Sequence, residues 1–298
     1  MRIPLFGFMT SSLLFVGLSL SAQENANLFV QDSLKRVGAG FSFTEGCSPD
    51  RDGNVFFTDQ PNDKVWKYST DGKMTVFMEK TGRANGTYFD KKGNLILCAD
   101  ENGQIWSVNR SGKVNILLDN LNGKQFNGPN DLWIDAKGGI YLTDPYYQRP
   151  YWTRTKPDLT SQDTYYLPKG SKKAILVADS LKQPNGIVGS ADGRHLFISD
   201  IAAGKTYKYT IGKGGTLKDK ELLIKRGSDG MTIDASGNIY LTGNDGVHIY
   251  NPKGQLLGLI KVPKGASNVC FWGRDKGKLF ITAKDAVYSI AMNVSGVE

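Results

Sequence analysis

The stretch that decides the fold is Asn130-Asp131, followed by Lys137-Gly138-Gly139 and Ile140-Tyr141-Leu142-Thr143-Asp144, because the chain repeats it. A polar pair precedes a short hydrophobic strand, a glycine turn, and a second strand that ends near Thr, Asp or Ala. The same order runs from Glu45-Gly46 through Gly53 to Val55-Phe56-Phe57-Thr58-Asp59. It recurs from Asn85-Gly86 to Leu95-Ile96-Leu97-Cys98-Ala99-Asp100, and from Asn185-Gly186 to Leu196-Phe197-Ile198-Ser199-Asp200. Asp229-Gly230 leads to Ile239-Tyr240-Leu241-Thr242-Gly243, and Asn268-Val269 leads to Leu279-Phe280-Ile281-Thr282-Ala283.

The six starts are spaced 40, 45, 55, 44 and 39 residues apart. That period leaves room for two further strands in each unit, which is the pattern of a four-stranded propeller blade. In unit one these are Lys64-Val65-Trp66-Lys67-Tyr68 and Met74-Thr75-Val76-Phe77, joined by a turn at Thr70-Asp71-Gly72. Unit six is one strand short, and residues Asn27 to Val37 can supply it. The expected fold is therefore all-β: a six-bladed β-propeller with four-stranded blades, closed by an N-terminal strand joining the last blade. An open sandwich would not need a sixfold period.

Composition agrees with this reading. Glycine makes up 35 of 298 residues, about 12 per cent against a usual ~7 per cent, which implies many turns. The net charge is +8, yet the lysines sit singly in turns such as Asp71-Gly72-Lys73 and Ala136-Lys137-Gly138. With no long basic run and no basic helix, a nucleic-acid partner is not expected. Cys47, Cys98 and Cys270 lack metal-binding spacing and read as buried small hydrophobes. Two histidines, His195 and His248, leave little material for a His-rich zinc site, and there is no G-x-S-x-G motif.

Arg2 precedes an apolar stretch from Ile3 to Leu20, then Ser19-Leu20-Ser21-Ala22 and the polar Gln23-Glu24-Asn25. This reads as a signal peptide over residues 1–22, cleaved after Ala22. The expected mature protein, residues 23–298, is a single domain. It is expected to be exported to the periplasm or the extracellular space, free of the membrane after cleavage, and a monomer or weak dimer.

In a propeller the first strand of each blade lines the central channel, so equivalent positions converge on one axis. Those positions are Glu45, Asn85, Asn130, Asn185, Asp229 and Asn268. All six side chains carry oxygen. One Asn/Asp-Gly pair would be a turn device. Six in register, with the two acids not adjacent, point to one divalent cation, Ca²⁺ in the first place, with Zn²⁺, Mg²⁺ or Mn²⁺ as alternatives. Asn85 and Asn268 can contact a ligand or shape their loops.

These motifs resemble a known family. Glu45-Gly46, Asn127-Gly128-Pro129-Asn130-Asp131 before Thr143-Asp144-Pro145, Gln183-Pro184-Asn185-Gly186 and Gly227-Ser228-Asp229-Gly230-Met231 are similar to the gluconolactonase / senescence-marker-protein / luciferin-regenerating-enzyme family. The likeness spans about residues 40 to 292. Asp144-Pro145-Tyr146-Tyr147 with Arg149-Pro150-Tyr151-Trp152 is similar to its bacterial secreted branch. The resemblance implies a channel metal and hydrolysis of a small sugar lactone. It implies Glu45, Asn185 and Asp229 as direct metal ligands, Asn130 as a metal or substrate contact, and Asp229 as the proton donor/acceptor. Two departures stand out. Animal members carry an Arg where this chain has Gly128, and their substrate-contacting acid falls near Gln148.

The chemistry fits these residue types. A cation polarises the lactone carbonyl, and a carboxylate moves the proton of the attacking water. Asp229 is the first candidate for that carboxylate. Because a bound cation lowers an acid's pKa, Asp131 or hydroxide on the cation competes. Tyr146, Tyr147, Tyr151 and Trp152, in the insertion of unit three, are expected to form an aromatic wall for the substrate, with outer-blade packing as the alternative. Arg149 and Arg154 are candidates for binding a substrate carboxylate. The competing functions are a non-catalytic propeller with a structural calcium, and another ester hydrolase on the same scaffold.

Overall fold

The strands form where β-branched and aromatic residues run between glycine turns. The computed structural model describes residues 28–297. The expected signal peptide lies outside the described residues. Among the described residues no helix is long and apolar enough to cross a membrane.

Unit one contributes β1 (Lys35–Pro49), β2 (Val55–Asp59), β3 (Lys64–Tyr68) and β4 (Met74–Glu79). Unit two contributes β5 (Ala84–Phe89), β6 (Leu95–Ala99), β7 (Gln104–Val108) and β8 (Val114–Leu118). Unit three contributes β9 (Leu132–Ile134), β10 (Ile140–Asp144), β11 (Asp163–Leu167) and β12 (Ile175–Ala178). Unit four has β13 (Pro184–Gly189), β14 (His195–Asp200), β15 (Lys205–Ile211) and β16 (Leu217–Ile224). Unit five has β17 (Met231–Ile233), β18 (Ile239–Gly243), β19 (Gly246–Tyr250) and β20 (Leu256–Lys261). Unit six ends the described chain with β21 (Asn268–Trp272) and the long β22 (Lys278–Ala291).

The expectation of six separate four-stranded blades is corrected. The propeller's strands form five hydrogen-bonded sheets, four of four strands and one of six, in the order β21-β22-β1-β2-β3-β4. The physical reason lies in two long strands. β1 pairs through Lys35 to Thr44 with β22 and through Thr44 to Pro49 with β2, so Thr44 has a partner on both sides and hydrogen bonding never breaks between units six and one. Register shifts interrupt its pairing with β22 at Arg36/Gly38 and Ala39/Thr44. β22 continues through Lys284, where φ is +57°. The sequence repeat thus counts six units where the backbone makes five sheets. The inner strands touch in the cyclic order β1, β5, β9, β13, β17, β21 and back to β1, enclosing a central channel.

The core lies between neighbouring sheets. Every residue of β2, β6 and β10 is buried, which explains why these strands read as continuous hydrophobic runs rather than alternating ones. Phe56 meets Phe77 and Phe89 edge-on at 4.9 and 5.0 Å. Trp133 and Tyr141 of unit three pack with Ile187 and Phe197 of unit four. The outer strands β4, β8, β12 and β16 are largely open to solvent. All three cysteines are free and buried.

Candidate active site

Four of the six mouth residues are followed by a glycine, Gly46, Gly86, Gly186 and Gly230, and at Gly86 and Gly186 the reason is close packing rather than turn geometry. A Cβ on Gly86 would lie 2.5 Å from the Asn130 carbonyl oxygen, and one on Gly186 would lie 2.7 Å from the Asp229 carbonyl oxygen. Each glycine therefore lets the next inner strand come close, which brings the mouth side chains together. Hydroxyls at the ends of the second strands fix the spacing. Thr58 donates to the Asn85 carbonyl at 3.0 Å, Thr143 to the Asn185 carbonyl at 2.7 Å, and Thr242 to the Ser267 carbonyl at 3.0 Å.

Glu45, Asp229 and Asn185 meet at the centre. Glu45 and Asp229 are hydrogen-bonded to each other, and Asn185 is hydrogen-bonded to Asp229. Burial pushes the Glu45 carboxyl well up. The charge of Asp229 and their shared hydrogen bond add to this, the Gly46 N–H opposes it, and the charge of Asp131 adds again. Burial also raises Asp229, while its bonds to Glu45 and Asn185 and the Arg149 charge pull it back. Asp229 keeps part of its surface open to the channel although protein surrounds it. Asn185 is 1 % exposed, and its Oδ1 accepts no hydrogen bond.

The other mouth residues divide. Asn268 is spent on the protein: its Nδ2 donates to Glu45 Oε2 at 3.4 Å, and its Oδ1 accepts from the Val269 N–H at 2.7 Å. It props Glu45. Asp131 accepts from the Leu132 N–H at 2.9 Å and the Ile187 N–H at 3.4 Å, one on each carboxylate oxygen. Asn85 and Asn130 are buried at equivalent positions, and their backbones tie to neighbours: the Asn130 carbonyl accepts the Gly86 N–H at 2.6 Å.

The insertion after β10 reaches the mouth. Tyr147 Oη accepts from Asn185 Nδ2 at 3.0 Å, and burial first, then the charge of Asp229, pushes its hydroxyl up to about 12. Tyr146 and Trp152 lie 5.6 Å apart by ring centroids. The Arg154 guanidinium lies 3.9 Å above the Trp152 ring and donates to the carbonyls of Phe126 and Asn127. Arg154 is thereby committed to positioning the loop before Asn130. Gly128 is explained as well: a Cβ there would lie 2.5 Å from Asp100 Oδ1 and 3.2 Å from the Trp152 ring. Those groups fill the space beside the backbone at this position.

Sequence reasoning passed over the buried acids beneath the mouth. Asp100 accepts from the Tyr151 hydroxyl at 2.6 Å and pairs with Arg149 Nε at 3.5 Å. Asp144 accepts the Asn127 and Gly128 N–H groups at 2.9 Å each. Asp200 accepts those of Lys182 and Gln183 at 2.8 and 3.0 Å. The available signal was the acid closing the second strand in units one to four, which the repeat contains but which reads as a turn marker.

A closed ring of inner strands with acids and amides at one mouth defines a β-propeller with a polar channel mouth. The family described as SMP-30/gluconolactonase/LRE-like matches residues 43–285, and the chain belongs to that family. It is 26% identical over 306 aligned residues to the gluconolactonase of Zymomonas mobilis, covering 93% of this chain and 86% of that protein. It is 27% identical to the lactonohydrolase oryL of Aspergillus oryzae, over 60% of this chain and 48% of that one. The solved structure of a gluconolactonase from Xanthomonas campestris superposes with a TM-score of 0.84 at 26% identity, covering 90% of this chain and 91% of that one. Regucalcin from Agrobacterium tumefaciens, a calcium-binding protein, shares the fold at a TM-score of 0.75 and 16% identity, covering 88% of this chain and 94% of that one.

Proposed function

We propose that this protein hydrolyses a sugar lactone, with gluconolactone as the representative substrate, to its aldonic acid, using one divalent cation, Ca²⁺ in the first place. The observation that carries this reading is the Glu45–Asp229 contact beside the unpartnered Oδ1 of Asn185. Two enclosed carboxylates in contact are costly unless a proton or cation sits between them. Arg149, whose charge acts on Asp229, is already paired with Asp100. Among the described residues no three His, Cys, Asp or Glu side chains form a ligand cluster. The donor set is two carboxylates and amide oxygens, and an all-oxygen set suits a hard cation. Glu45, Asp229, Asn185 and Asn130 would hold it. The relatives named gluconolactonase and lactonohydrolase support the reaction class.

When bound, the cation supplies Lewis acidity to the lactone carbonyl and lowers the pKa of nearby water. The residues do the rest. Asp229 takes a proton from the attacking water as the water oxygen bonds to the carbonyl carbon. As the acyl–oxygen bond breaks, that proton passes to the ring oxygen, and the open hydroxy acid leaves. Asp131 has both carboxylate oxygens engaged by backbone N–H groups, which favours Asp229 as the proton carrier. Glu45, fixed by the Gly46 N–H and by Asn268, supplies charge. Tyr146 and Trp152 offer apolar faces to the sugar.

Proton release from a panel of aldonolactones tests the reading, with and without chelator. Turnover is expected to vanish on thorough cation removal and to return with Ca²⁺. Asp229→Asn is expected to lower kcat by about 10²–10⁴-fold. Full activity after thorough chelation overturns the cation's role. No turnover of any lactone by folded, Ca²⁺-loaded protein overturns the enzyme.

A further inference from the structure

We infer that Tyr147 is a positioning residue: its phenol oxygen fixes the side-chain amide of Asn185 so that Oδ1 faces the cation. The inference rests on the cation-dependent reading above.

An Asn amide has two ends of nearly the same shape and opposite hydrogen-bonding character. Only the oxygen end ligates a cation. A half-turn about the last side-chain bond would place two N–H groups where the oxygen belongs. The acceptors around Nδ2 therefore decide the ligand. Two are in place, the Asp229 carboxylate and Tyr147 Oη, the latter at 3.0 Å. A carboxylate committed to a cation is the weaker acceptor of the two. Tyr147 remains as the partner that holds Nδ2 away, and Oδ1, buried and unpartnered, is left for the cation.

Tyr147 is itself braced. The Arg149 guanidinium lies 5.1 Å from its ring centroid. Arg149 is anchored on Asp100 at 3.5 Å, and Asp100 also takes the Tyr151 hydroxyl at 2.6 Å. A chain of contacts, Asp100 to Arg149 to Tyr147 to Asn185, thus crosses from unit two to unit four. Second-layer hydrogen bonds of this kind orient metal ligands, and their loss typically costs about 10–100-fold in affinity or activity.

This role differs from an aromatic wall in a way that can be measured. Tyr147→Phe keeps the ring and removes the acceptor. Calorimetric titration with Ca²⁺ alone, without substrate, compares wild type, Y147F, N185D and the N185D/Y147F double variant. Y147F is expected to weaken Ca²⁺ about 10–100-fold. In the N185D background the same change is expected to matter less than about twofold, because both ends of a carboxylate are oxygen and neither can be misplaced. Tyr147→Leu, which also lacks the hydroxyl, is expected to repeat the loss and serves if Y147F folds poorly. Equal affinity in folded wild type and Y147F overturns the inference alone. Equal loss in both backgrounds overturns it too, since that marks a general packing role. A wild type that binds no Ca²⁺ overturns both this inference and the proposed function.

Discussion

The two ends of the channel carry the same residue types at the same period and use them in opposite ways. At the far end, Asp50 accepts the N–H groups of Asp52 and Asn54 and the Asn54 side-chain amide. Asp90 does the same with Lys92 and Asn94, and Asp234 with Ser236 and Asn238. These acids are consumed within their own turns. Asp192 is held well below the usual carboxylate range, first by the Ser190 hydroxyl and then by the Arg194 N–H. At the mouth, Glu45 is pushed the other way and Asn185 Oδ1 is left unpartnered. A cavity of ≈ 570 Å³ opens at the far end, lined by the turns around Asp50, Asp90, Asp135 and Ser190. Repeated acids are thus present at both ends, and the cavity lies at the far one. What separates them is whether the polar atoms are already satisfied.

Three substitutions probe that contrast. The largest effect is expected from Gly186→Ala, whose Cβ would lie 2.7 Å from the Asp229 carbonyl oxygen. Overpacking of this kind costs about 1–3 kcal/mol, and a displacement of ~1 Å at the site lowers turnover by about 10²-fold. Wild-type lactone kinetics in G186A would show that close approach of the strands is not what assembles the mouth.

A smaller effect concerns Asp144, beneath the mouth. Burial pushes its carboxyl up to about 7, against the pull of the Gly128 and Asn127 N–H groups. An unfolded carboxyl of this type titrates near ~4. Between those two values the folded state holds the proton and the unfolded chain does not. Stability therefore falls as pH rises through that window, by up to about 1.4 kcal/mol per pH unit from this group. Urea unfolding from pH 4 to pH 8 is expected to give a flatter profile for Asp144→Asn than for wild type. Parallel profiles would place the strain elsewhere.

The smallest effect on turnover is expected at the far end. Asp90→Ala removes three acceptor contacts, at 2.8, 2.9 and 2.8 Å. It is expected to cost about 1–3 kcal/mol of stability while kcat/KM stays within twofold. A large loss of turnover in folded D90A would mean that the two ends are coupled.

The sequence on its own determined a good deal. Glycine turns and continuous hydrophobic strands at a near-constant period specify stacked antiparallel sheets around an axis, because each unit buries its faces only against its neighbours. The same period placed Glu45, Asn85, Asn130, Asn185, Asp229 and Asn268 at equivalent positions. Other features were decided only by tertiary structure. The sheet count depended on β1 and β22 each serving two partners, which no local pattern encodes. Asn268 and Asn185 look alike in the repeat, yet one is spent on Glu45 and the other keeps a free carbonyl. The insertion around Tyr147 gained its place through Asp100, about 50 residues upstream, by way of Arg149 and Tyr151. Periodicity fixes where a side chain starts. Which of its atoms remain unpaired is settled by groups distant in sequence, and chemistry at this site depends on those atoms.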